Sequence, residues 1–271
     1  MKKISKPIEQ IKSSYQVVII GSGYGGSIAA SRLARAGQKV CLLERGNEIR
    51  PGEYPNTLIS GMEEMQISST EERIGSATAM IDFNVHPGIS VVTGCGLGGT
   101  SLINANVSIR PDYRVFKDPC WPTEIIAEYP VPDSLLNKGY DLAEDMLKTK
   151  PLPDHIQLDK LSAFQKSAQA NDQNFYRPNI NVNFEYDGPN HVGVVQKPCN
   201  LCGDCCSGCN NHAKNTLLMN YLPDAHNHGA EIFTGAKVKY VEKKDKQWIV
   251  HFEVTGSGTE KFNTNTAFVF A

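Results

Sequence analysis

A chain of 271 residues with 40% hydrophobic composition can bury a sizeable core, as one large domain or two smaller ones. Its formal net charge of -2 gives no general electrostatic reason to hold nucleic acid or an acidic membrane surface. No apolar run approaches the roughly eighteen residues of a membrane span, and residues 1–12 lack the apolar stretch of a secretory signal, so a cytoplasmic protein without a transmembrane segment is expected.

Residues 15–20, Y-Q-V-V-I-I, are rich in β-branched side chains and end at once on glycine, the pattern of a buried parallel strand. Gly21, Gly23 and Gly26 then satisfy G-x-G-x-x-G within G-S-G-Y-G-G. The first such glycine makes a tight turn, the second lets main chain approach a pyrophosphate, and the third lets helix and strand pack closely. Amides at the helix N-terminus stabilise the phosphate charge. The helix is expected from Gly25, on a face of Ile28, Ala29, Leu33 and Ala36, with Gly37 closing it. A second buried strand over 39–43 ends on Glu44, at about the twenty-residue separation where a carboxylate accepts from ribose hydroxyls and repels a 2′-phosphate. This β-α-β unit points to a dinucleotide and argues against NADP, leaving FAD and NAD.

Residues 51–90 show little periodicity, with Pro51 and Pro55 near their start. A second glycine loop follows, running from Thr93 and Gly94 through Gly96, Gly98 and Gly99 to Asn104. It is too rich in glycine for a helix and too apolar at its end for a flexible linker. Such a loop lets main chain pass against a flat ring or phosphates; the alternative is a tight structural turn. Prolines at 111, 119, 122, 130, 132, 151 and 153 break the next stretch, leaving helices over about 133–148 and 159–170. Beyond residue 210 a helix over 215–225 and strands over 231–233, 236–242, 248–254 and 266–270 are expected.

Five of the eight cysteines lie between Cys199 and Cys209. Cys199, Cys202, Cys205 and Cys209 have the C-x2-C-x2-C-x3-C spacing of bacterial ferredoxin ligands, which hold an iron-sulfur cluster. Asn210 stands where ferredoxins carry proline, and no second motif supplies the other cluster. Zinc bound by Cys199, Cys202, Cys206 and Cys209 would have only three residues between its ligand pairs, shorter than usual zinc sites. Plain thiols or a local redox disulfide complete the alternatives.

Four motifs stand in order: G-S-G-Y-G-G at 21–26, L-L-E at 42–44, G-L-G-G-T-S-L-I-N-A-N-V at 96–107 and N-H-A-K-N-T-L-L-M-N-Y-L at 211–222. With them the chain resembles the N-terminal part of the glucose-methanol-choline (GMC) oxidoreductases, in particular their cholesterol oxidase and long-chain fatty alcohol oxidase branches. The resemblance implies an α/β, Rossmann-like, doubly wound and mainly parallel FAD-binding fold. Residues 14–50 and 196–271 would form that domain, around an inserted substrate-side region, 51–195, with a flavin-contacting loop at 90–110. It further implies oxidation of the CH-OH group of a sterol or long-chain alcohol by hydride transfer to FAD, with oxygen or a redox protein as electron acceptor. Residue by residue, the pyrophosphate falls on Gly21, Gly23 and Gly26, the ribose on Glu44, the flavin on Gly98, Asn104 and Val107, and adenine on the main chain of Val238. Tyr24, Gly25, Gly94 and Gly99 complete the cofactor-binding set. The family's catalytic histidine lies in a C-terminal part, and the seven histidines here are scattered. Catalytic residues are therefore expected C-terminal to Ala271, with the chain truncated there. The alternative is an electron-transfer module holding FAD and an iron-sulfur cluster and serving a partner protein.

Overall fold

Residues 15–43 form the expected strand, helix and strand. The helix, however, turns Ser27, Ala30, Ser31 and Ala34 into the interior, small side chains that allow close packing. The expected face of Ile28, Ala29, Leu33 and Ala36 is not the buried one, and Ala36 is exposed. Strand β1 (Val17–Ile20) pairs in parallel with β2 (Val40–Leu43), Val17 opposite Val40 and Ile20 opposite Leu43, and helix α1 (Tyr24–Arg35) connects them. β2 is buried along its whole length, as its V-C-L-L run allows in a parallel strand covered on both faces. Gly37, with φ 77°, makes the left-handed exit from the helix. The computed structural model describes residues 1–255, 261–266 and 269–270.

Residues 51–90 hold a short helix, α2 (Leu58–Glu63), and the strands β3 (Met65–Ser68), β4 (Arg73–Ile74) and β5 (Ile81–Asn84). With β6 (Val91–Gly94) they form a mixed sheet in the order β4-β3-β5-β6, in which only β3 and β5 run parallel. A capping box starts α2: the Thr57 hydroxyl accepts from Ser60 N while the Ser60 hydroxyl accepts from Thr57 N. The sheet buries two polar side chains with partners. Gln66 donates to Ala79 O at 2.7 Å, and Asp82 accepts from Arg45 at 2.6 Å.

The chain divides into two units, Met1–Ala105 with Glu185–Ala271, and Asn106–Phe184. The first therefore takes in residues 51–105 and 185–195, which the sequence reading groups with the inserted region. The second carries helices α3 (Thr123–Glu128), α4 (Leu135–Leu147) and α5 (Asp159–Ala170). Ser134 caps α4 through its side chain, and Arg110 holds both Asp141 and Glu144 on its exposed face.

Back in the first unit, the helix expected over 215–225 is split. Leu217–Met219 make a 3-10 turn, and Asn220, far from helical at φ −147° and ψ −93°, restarts the chain as α6 (Tyr221–Asn227) by accepting from Tyr221 N. The chain continues through β7 (Glu231–Phe233), β8 (Ala236–Lys244), β9 (Gln247–Val254), β10 (Lys261–Thr266) and β11 (Val269–Phe270). The central sheet is parallel throughout, in the order β7-β2-β1-β11, and β8-β9-β10 form an antiparallel sheet. Of the strand expected over 266–270, Val269 pairs with Val18, while residues 267 and 268 lie outside the described residues.

Tyr15, Val18, Cys41, Leu43, Phe233, Val250 and Phe252 share one apolar cluster between the two sheets. Burying a side chain of this size contributes about 1.5–3 kcal/mol. Helix α6 is fixed to α1 by Asp224, which accepts from Ser31 and twice from Arg35, at 2.8 and 2.6 Å. Burial would raise the Asp224 pKa, but Arg35 and Ser31 hold it below the usual carboxylate range.

Candidate functional site

Two glycine loops lie main chain against main chain at the C-terminal end of β1. A methyl group on Gly26 would stand 2.0 Å from Gly21 O, and one on Gly99 would stand 2.9 Å from Gly23 Cα. Gly94 is confined in the same way, because its added carbon would meet Gly99 O at 2.4 Å. Gly98 and Gly99 also adopt left-handed backbone, with φ of 110° and 54°. Gly23 differs. Its φ of −65° suits any residue, and among the described residues none but its chain neighbours lies within 4 Å of where its Cβ would be. It caps α1 without a side-chain hydrogen bond, leaving the helix's positive end uncovered by a cap side chain.

Ser22, between two of these glycines, ties the loops to the acid. Glu44 Oε2 accepts from Ser22 N at 3.0 Å and from Ser22 Oγ at 2.6 Å, and Oε1 accepts from Gly46 N at 2.8 Å. The same hydroxyl accepts from Gly98 N at 2.9 Å. Glu44 is buried, yet a carboxylate offers about four acceptor positions, so it retains capacity for a further donor. Asn104 Nδ2 donates to the Tyr24 hydroxyl at 3.0 Å, while its Oδ1 is buried with no hydrogen-bond partner among the described residues. An unpaired buried acceptor costs about 1–3 kcal/mol, which a donor on a bound ring would remove. Burial raises the Tyr24 pKa against the opposing pull of the Asn104 amide.

Gly21, Gly23, Tyr24, Gly25, Gly26, Glu44, Gly94, Gly98, Gly99 and Asn104 thus come together through direct contacts or chain adjacency. Val238 stands in β8 opposite Phe252, shortly after Ala236 N donates to Glu44 O at 2.8 Å. Val107 belongs to the second unit, where it bridges to Ile180. Of the scattered histidines, His251 meets Glu242 at 3.1 Å and His228 meets Asp224 O at 2.8 Å, contacts internal to β8–β9 and α6.

The metal and disulfide readings of the cysteines need correction. Cys199, Cys202, Cys205, Cys206 and Cys209 are all unbridged, and among the described residues no three Cys, His, Asp or Glu side chains converge as metal ligands. The iron-sulfur set of Cys199, Cys202, Cys205 and Cys209 is therefore not assembled, nor is the zinc set or a local disulfide. The segment is tied down by the amide of Asn210 and the carbonyl of Cys205, which fix its main chain without requiring the thiols to point to one centre. Asn210 Oδ1 accepts from Gly52 N at 2.7 Å and Tyr54 N at 3.0 Å, and its Nδ2 donates to Tyr54 O at 3.0 Å. The residue that departs from the ferredoxin pattern thus has its own partners. Gly208 packs on the Tyr54 ring, which an added methyl would approach to 2.1 Å.

Three residues in these contacts carry no strong sequence signal. Ser22 occupies a free position of the fingerprint, Asn210 reads only as a missing proline, and Lys214 lies in the fourth motif, at 211–222, without a role that its spacing indicates. Lys214 is 2% exposed and donates to the carbonyls of Leu102, Asn104 and Cys205 at 2.9, 2.8 and 2.8 Å. Burial lowers its pKa to about 8.

A family model described as GMC oxidoreductase matches residues 16–271. A cholesterol oxidase of Mycobacterium tuberculosis is 30% identical over 264 residues, covering 91% of this chain and 43% of that protein. A cholesterol oxidase of Acinetobacter baumannii is 27% identical over 237 residues, covering 83% and 40%. A long-chain-alcohol oxidase of Arabidopsis thaliana is 26% identical over 233 residues, covering 85% and 27%. The chain spans less than half the length of each of these relatives.

Proposed function

The chain belongs to the GMC oxidoreductase family, and from that premise we propose that it is the FAD-binding part of an enzyme oxidising the CH-OH group of an alcohol. The observation that carries this reading is the junction at Ser22, where the fingerprint, Glu44 and the second glycine loop meet through hydrogen bonds. The parallel sheet with α1 against it suits a Rossmann-like, doubly wound domain.

Within this reading, Gly21, Gly23 and Gly26 leave main chain and helix amides open to a pyrophosphate, beside Tyr24 and Gly25. Glu44 uses its remaining acceptor capacity on ribose hydroxyls. Gly94, Gly98 and Gly99 would let main chain of the second loop approach the flavin, and Asn104 Oδ1 would be free to accept from it while Tyr24 holds the amide's other end. The main chain of Val238 would meet adenine. FAD bound there would supply the hydride acceptor. The names of the relatives favour a sterol or long-chain alcohol as substrate, and electrons would pass to oxygen or a redox protein.

Gly23→Ala tests the assignment, because the added methyl crowds none of the described residues and should leave the fold intact. The purified variant should retain the wild-type circular dichroism spectrum and bind no flavin, measured as the flavin-to-protein absorbance ratio. A folded variant with its full complement of flavin would refute the dinucleotide reading.

A further inference from the structure

We infer that Lys214 is a positioning residue of the flavin-facing loop, its buried ammonium clamping the end of that loop to the cysteine-rich segment. The inference rests on the FAD reading above.

An ammonium has three donors and is strongly hydrated, so burying it is costly unless every donor finds an acceptor. Here three carbonyls stand within 2.9 Å of Lys214 Nζ, enough for a full complement. Two belong to Leu102 and Asn104, at the end of the second glycine loop. The third belongs to Cys205, in a segment itself anchored on residues 52–54 by Asn210. The same stretch of chain grips the loop a second time. Leu217 N donates to Ser101 Oγ at 3.1 Å, and Ser101 Oγ donates to Gly98 O at 2.7 Å. Residues 214–217 therefore fix the main chain at 98–104 from two points, and the main chain at 104 sets where the Asn104 amide sits against Tyr24. On this account the cysteine-rich segment acts through a carbonyl, as the third leg of the clamp.

FAD titration of the apoprotein, read by flavin absorbance and fluorescence, tests this with Lys214→Met, Asn104→Ala and the double variant. Lys214→Met should weaken FAD binding by about tenfold or more, since losing hydrogen bonds to a buried charge is worth at least that ratio. The double variant should bind little worse than the weaker single variant, because both act through one loop. Hydrogen exchange should quicken together at 98–105 and 199–209 while β1 and β2 keep their protection, a pattern that general destabilisation does not produce. If Lys214→Met fails to fold, Lys214→Arg, which keeps the charge but changes its shape, is measured in the same way. FAD affinity within about twofold of wild type, fully additive effects, or exchange quickened equally in β1 and β2 would overturn the inference. Wild-type protein that takes up no FAD would overturn the FAD reading and this inference with it, whereas normal wild-type uptake beside an unaffected Lys214 variant would sink this inference alone.

Discussion

Residues 21–26 and residues 199–209 are both glycine-bearing segments with a recognisable spacing, and the fold treats them differently. In the first, the spacing is enforced by the chain itself, since a methyl on Gly26 would collide with Gly21 O at 2.0 Å. In the second, Gly203 has a left-handed φ of 81° but meets nothing within 4 Å, and Cys202 and Cys206 are exposed. A motif whose logic is backbone sterics leaves its trace in the folded chain without a ligand. A motif whose logic is convergent thiolates must be judged by whether the thiols converge, and these do not.

Four substitutions would break or sharpen that contrast. Gly26→Ala should cost the most, about 3 kcal/mol, because the clash is with backbone that cannot rotate away, whereas Gly203→Ala should cost about 1–2 kcal/mol from its left-handed φ alone. Urea denaturation of the two variants side by side measures the difference, and equal losses would erase the distinction. Asn210→Ala should cost about 1–3 kcal/mol and expose residues 199–209 to proteolysis, because it strips the partners of Gly52 and Tyr54. A variant as protease-resistant as wild type would mean that Asn210 is not what holds the segment. Cys202→Ser should have the smallest effect, within about 0.5 kcal/mol, as for other exposed positions. Loss of bound iron and acid-labile sulfide on that substitution would restore the metal reading.

Much of the central architecture was legible in the residues. The strand-glycine-helix-strand pattern gives β1, α1 and β2, and the apolar period of α5 places it at Asp159–Ala170, the span expected. Residues 51–90 were not legible, because strands of two to four residues, several of them half-exposed, are too short to display an alternation. Within the site, Gly26 and Gly94 could be read because what confines them, Gly21 and Gly99, lies five positions away. Lys214 could not, since its carbonyl partners Leu102 and Asn104 lie 112 and 110 positions away. The cysteines mislead for the converse reason: ligand spacing is written locally, whereas the orientation of each thiol depends on what holds the main chain, here Asn210 and Lys214.

The junction at Ser22 also bears on the order in which the molecule can form. Gly98 N reaches the Ser22 hydroxyl across 76 positions, and Gly99 presses on Gly23. The first β-α-β unit can pair from nearby contacts, but its nucleotide turn gains its second wall only when a long loop through β3–β6 has closed. During synthesis, residues 15–50 would emerge with the fingerprint present and the cradle unfinished. Competence to take up a cofactor would thus arrive as a late, non-local event, set by the second glycine loop and not by the first.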